Sequence, residues 1–151
     1  MGGTIIELEL TWCDRAILIM LYLNKGKISK QKLSALLYLI YKEFKNIDPL
    51  EDLDFYINMK TKEIEVYTPN SKSVDINDIL DNISYFWEAI KYNPKENIIY
   101  LTDKGYRIAK ELMNDPKFKD EIKATVKTIF LYKDMSEKDL MNLILESLKH
   151  S

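Results

Sequence analysis

Apolar residues recur along this chain in two rhythms, one close to helical spacing and one alternating, and the changes between them mark out its elements. From Trp12 or Asp14 to Asn24, the residues Ala16, Ile17, Ile19, Met20, Leu21 and Leu23 nearly encircle a helix, which implies burial on more than one side. Gly26 stops that helix and Ser29 caps the next. Leu33, Leu36, Leu37, Ile40, Tyr41 and Phe44 then fall at helical period, widened by Tyr38 and Leu39, and predict a central helix that ends near Pro49. "FYINMKTKEIEVY" switches to alternation and predicts two short strands around Lys60-Thr61-Lys62. Residues 1–11 alternate weakly, as an edge strand would.

After the break at Pro69-Asn70-Ser71, Ser73 is placed to cap a third helix, from Val74 to about Ile83. "SYFWEAIKY" is aromatic and β-branched and predicts the first strand of a hairpin. The hairpin turns at Asn93-Pro94-Lys95-Glu96-Asn97 and returns along Ile98 to Leu101. Thr102 and Asp103 suit the first turn of a following helix, lined inside by Ile108, Ala109, Leu112 and Met113 and closed by Asp115-Pro116. Another helix carries Phe118, Ile122, Val126, Ile129 and Phe130. The last begins at the capping-box-like Ser136-Glu137-Lys138-Asp139.

The order of helices and hairpin, together with the phrase "YLTDKGYRIAKEL", resembles winged helix-turn-helix proteins. Three further segments, "KISKQKLSALLYLIYKEF", "VYTPNSKSVDINDILDNI" and "YKDMSEKDLMNLILESLK", are similar to a narrower group, the archaeal and phage-associated winged-helix proteins related to the Panacea antitoxin domain. The resemblance implies an α+β, mainly helical fold. A winged-helix-like core (12–115) would hold an inserted small β-hairpin, and two C-terminal helices would extend it (116–151). About 28 residues lie between the second and third helices, where a compact helix-turn-helix has a turn of about 3–4. The inserted hairpin occupies that interval.

Composition narrows the function classes. The chain has 151 residues and a formal charge of −2, so no global basic field draws it to nucleic acid and any contact must come from a local patch. One cysteine, Cys13, excludes an internal disulfide and points to a reducing cytoplasm. The apolar run Ala16–Leu23 is far short of the roughly 20 residues that span a bilayer, so no membrane association is expected. The single histidine, His150, is penultimate, and the four glycines are too scattered for a phosphate loop. Catalytic residues, metal ligands and cofactors are therefore not expected. The acidic run Asp48, Glu51, Asp52, Asp54 lacks the spacing of a calcium loop.

The candidate chemistry is cationic. Lys25, Lys27, Lys30 and Lys32 crowd the joint before the second helix, and Lys91 and Lys95 lie on the hairpin, with Lys104 and Arg107 on the helix behind it. Lys72 precedes the third helix. These residues define a double-stranded DNA interface made mainly of phosphate contacts. The third helix itself offers Asp75, Asp78 and Asp81, with only Asn77 and Asn82 able to pair with a base. That acidic face suits a basic protein partner instead. The last helix is apolar on more than one side, with Leu140, Met141, Ile144, Leu145 and Leu148 as a homodimer interface. Two readings follow: a small DNA-binding transcriptional regulator, or a protein-interaction module of the antitoxin or adaptor kind.

Overall fold

A computed structural model describes residues 10–47, 54–67, 72–93 and 95–149. Residues 1–9 of the alternating segment 1–11, most of the acidic loop at 48–52, the break at 69–71, Pro94, the Phe44 and Phe86 side chains and His150 lie outside those residues. The first helix, α1 (Trp12–Leu23), opens with a reciprocal cap. Thr11 Oγ1 accepts from the Asp14 amide at 3.2 Å, and the Thr11 amide donates to Asp14 Oδ2 at 3.1 Å. Its apolar circumference is fully used, because Cys13, Ala16 and every residue from Ile17 to Leu21 are buried. Lys25 and Gly26 take left-handed backbone conformations (φ 61° and 84°) and turn the chain out of the helix.

A short strand, β1 (Lys27–Ser29), follows where the pattern predicts only a joint. Helix α2 (Lys30–Ile47) then starts, with Ser29 Oγ accepting from the Lys32 amide at 3.2 Å as its sequence position implies. The alternating segment forms β2 (Asp54–Asn58) and β3 (Glu63–Tyr67), paired antiparallel with Ile57 opposite Ile64 and Phe55 opposite Val66. A two-residue strand, β4 (Ser73–Val74), adds to β3.

Helix α3 (Ile76–Trp87) differs from expectation at both ends. Ser73 and Val74 belong to β4, and Asp75 is the cap, its Oδ1 accepting from the Asn77 amide at 2.8 Å. The segment "SYFW" is helix rather than strand. Ile79, Leu80, Ile83 and Trp87 continue one helical stripe, and that tertiary contact overrides the β preference of the aromatic residues. Glu88, left-handed at φ 51°, ends the helix. The hairpin is correspondingly shorter, β5 (Ile90–Asn93) and β6 (Ile98–Leu101). Then come α4 (Asp103–Met113), a 3-10 turn at Pro116–Phe118, α5 (Lys119–Tyr132) and α6 (Glu137–Lys149).

The fold is α+β and mainly helical, with two three-stranded antiparallel sheets in the orders β1-β6-β5 and β2-β3-β4. One hydrophobic cluster joins α1 and α2 to both sheets and to the C-terminal helices. Ile122 and Ile129 of α5 and Leu140 and Ile144 of α6 are part of it. Leu140 and Ile144 are 0 % exposed within the single chain. This corrects their assignment to a dimer interface, since α2 already covers them and a second copy could reach them only if α6 came away.

Candidate nucleic-acid interface

The first sheet sets the geometry. β6 lies in the middle, with Lys27 of β1 on one side of Tyr100 and Lys91 of β5 on the other. Strand alternation sends Ile28, Ile99 and Tyr92 of the neighbouring row to the opposite, core face. Ile28 and Ile99 are buried there, while Lys27, Tyr100 and Lys91 are all exposed. The outer face of the sheet thus carries a row of lysine, tyrosine and lysine. A carboxylate joins the middle of that row, Glu96 Oε2 accepting from the Tyr100 hydroxyl at 3.4 Å.

The hairpin tip is closed by Asn93. Its carbonyl accepts from the Glu96 and Asn97 amides, and its side-chain Oδ1 accepts from the Lys95 amide at 3.0 Å. Lys95 is exposed at that tip. Behind the hairpin, Thr102 caps α4 by accepting from the Gly105 amide at 3.0 Å and donates its own hydroxyl proton to the Glu88 carbonyl at 2.7 Å. This anchors the start of α4 against the end of α3. Lys91 and Lys104 consequently line one shallow depression of about 660 Å³, together with Glu88 and Asp103. Arg107 is exposed, one helical turn further along α4.

The lysine corner before α2 does not act as one patch. Lys27 belongs to the sheet row, and Lys25 is exposed in the turn before it. Lys30 is half-buried and lines a different groove, against Glu63, Glu65 and Asp75. Lys32 is turned inward, its Nζ donating to the Lys133 carbonyl just past α5. This corrects its assignment as a phosphate contact, because an ammonium so placed serves a helix C-terminus. Lys72 is exposed ahead of β4.

On α3, Asp75, Asp78, Asp81, Asn82 and Tyr85 are exposed, Tyr85 at 85 %. Asn77 is half-buried and its Oδ1 accepts from the Tyr92 hydroxyl at 2.9 Å, so it ties α3 to β5 rather than presenting an amide to a base. Sequence reasoning named Lys27 but missed the strand that carries it, and it missed Tyr100. β1 is only three residues long, below the length at which alternation can be read. Tyr100 follows from the alternation of β6 only once Lys27 and Lys91 are known to flank it.

The remaining chemistry is sparse. Cys13 is fully buried, and desolvation, with Asp14 beside it, pushes its thiol far above the ordinary range. Among the described residues, no group of His, Cys, Asp and Glu is close enough to hold a metal ion, and no helix is long and apolar enough to cross a membrane. Comparison with protein-family models, with curated proteins and with solved structures finds no match to this chain.

Proposed function

We propose that this chain is a small DNA-binding regulator of the winged-helix type, similar to the Panacea-related group, which meets duplex DNA with the outer face of its hairpin sheet. The observation that carries the reading is the Lys27–Tyr100–Lys91 row, with Lys104 beside Lys91 and Lys95 at the tip. The wing reading draws on three helices followed by a hairpin whose second strand runs into α4 through Leu101-Thr102-x-x-Gly105. Contacts of this kind neutralise phosphates and set position, with little sequence information. The acidic outer side of α3 opposes insertion into a groove. Binding needs no cofactor, and a cytoplasmic regulator fits the lone buried thiol.

The test is fluorescence anisotropy on a labelled random-sequence duplex. Four phosphate contacts from Lys27, Lys91, Lys104 and Arg107 give a log–log salt slope of about −3 to −4, or roughly a 100-fold loss of affinity between about 50 and 200 mM salt. Lys27→Glu with Lys91→Glu abolishes binding. Absence of binding at the lower salt sinks the reading and favours the second one, a protein-interaction module. That alternative is supported by Asp78, Asp81 and Tyr85, all exposed along α3 and suited to a basic protein partner. Homodimerisation belongs to the same proposal, through the α6 positions that the core leaves partly uncovered. Those are Met141, Leu145 and Leu148, with Leu143 37 % exposed. A monomeric mass at tens of micromolar, by sedimentation, removes it.

A further inference from the structure

The second sheet is incomplete on one side. β2 pairs with all five residues of β3, from Asp54 opposite Tyr67 to Asn58 opposite Glu63. β4 pairs only with Val66 and Tyr67, after which Asp75 caps α3 and the chain leaves the sheet. Among the described residues, therefore, no strand stands on that side of Glu63, Ile64 and Glu65. An open edge of this kind presents backbone N–H and C=O groups ready to pair with another chain. Here the edge does not face open solvent. It borders a groove of about 400 Å³ whose far wall is the first turn of α2, with Lys30, Gln31 and Ser34.

We propose that this groove binds an extended peptide, added antiparallel to β3 in line with β4, with the pattern basic–apolar–basic. The register determines that pattern. A residue opposite Ile64 shares the inner face with Val74 and meets the apolar lining of Ile76 and Met141. Residues opposite Glu63 and Glu65 share the outer face with those carboxylates, and directly opposed charges are favourable only when unlike. The Glu65 carboxylate is fixed on that outer face, accepting from Asn58 Nδ2 of β2 at 3.1 Å and from the Tyr67 hydroxyl at 2.8 Å. Lys62 and Lys30 also border the groove, but the carboxylates of Glu63, Glu65 and Asp75 outnumber them. Main-chain pairing supplies affinity and the alternate side chains supply selection, as in other strand-addition complexes.

Four fluorescein-labelled peptide amides test the proposal by anisotropy: Arg-Val-Arg-Val-Arg, its Asp-Val-Asp-Val-Asp counterpart, and two Arg-Val-Arg-Val-Arg analogues, each N-methylated at one of the two alternate sets of amides. The unmodified basic peptide is expected to bind and the acidic one to fail. The analogue whose blocked amides face β3 should bind at least about tenfold more weakly than the one whose blocked amides face away, because strand donors are lost while charge is kept. The Glu63→Lys, Glu65→Lys double variant changes exposed or half-exposed side chains and should fold normally, with peptide affinity also down at least about tenfold. Equal binding of the N-methylated peptides overturns strand addition. An unaffected double variant overturns the charge pattern, and no binding of the basic peptide overturns both.

Discussion

Single residues in this molecule show how little freedom the joints have. Gly105 sits one turn into α4, where a Cβ would overlap the Ala89 carbonyl oxygen and press on Leu101 Cδ1 at 2.6 Å. Gly105→Ala is expected to cost about 2–4 kcal/mol by urea denaturation, since backbone rather than a flexible side chain must yield. Asp14 makes a different kind of statement. Burial raises its pKa above the ordinary 3.8, outweighing the Thr11 hydrogen bonds that lower it. A raised folded pKa means that folding favours the protonated form. Its contribution is therefore full below the unfolded value and is lost as pH rises through the folded one. Urea midpoints of the native protein and of Asp14→Asn, compared between about pH 3 and 7, should show the native protein losing ground to the variant as pH rises. A constant difference between the two would contradict the buried-carboxylate account.

Among the elements, the joint between β1 and α2 separates residues that look equivalent in sequence. Lys27 and Lys32 are five positions apart, yet one stands on the outer sheet face and the other reaches the Lys133 carbonyl. Lys32→Gln should lower stability by about 0.5–1.5 kcal/mol while changing duplex affinity by less than about twofold. A large loss of affinity with unchanged stability would restore Lys32 to the nucleic-acid interface. The pattern of helix α3 was legible as far as Ile83. Its last turn was not, because Tyr85-Phe86-Trp87 has strand-like composition, and it is Trp87, packed on the core, that reveals the helical period.

For the whole molecule, the C-terminal helices are structural members of the core. Arg15 of α1 forms a two-pronged ion pair with Glu121 of α5, with Nε to Oε2 at 2.6 Å and Nη2 to Oε1 at 2.5 Å. Its guanidinium also lies 4.1 Å above the Phe118 ring. Both partners are largely sheltered, at 13 % and 21 % side-chain exposure. Arg15→Ala is expected to destabilise by about 1–3 kcal/mol, and Arg15→Lys should recover less than half of that because an ammonium lacks the fork. Recovery in full would mean that charge alone matters there. Ile144→Ala should cost about 2–4 kcal/mol in a single cooperative transition, as expected if α6 unfolds with the core. A separate, earlier transition for α6 would show that it is an appendage.

By itself the sequence determined the helical majority of the fold, the hairpin of β2 and β3, the cap at Ser29, the start of α4 near Thr102, and most of the buried positions. Each of those depends on local periodicity or on a side chain's own backbone preference. The tertiary structure alone decided which lysines share a face, that Asn77 is tied to Tyr92, that Leu140 and Ile144 are already covered, and that part of β3 has no partner on one side among the described residues. Those facts depend on pairing between segments far apart in the chain. Lys27 meets Tyr100 only because three residues of β1 join a hairpin some seventy positions later, and no local pattern encodes that partnership.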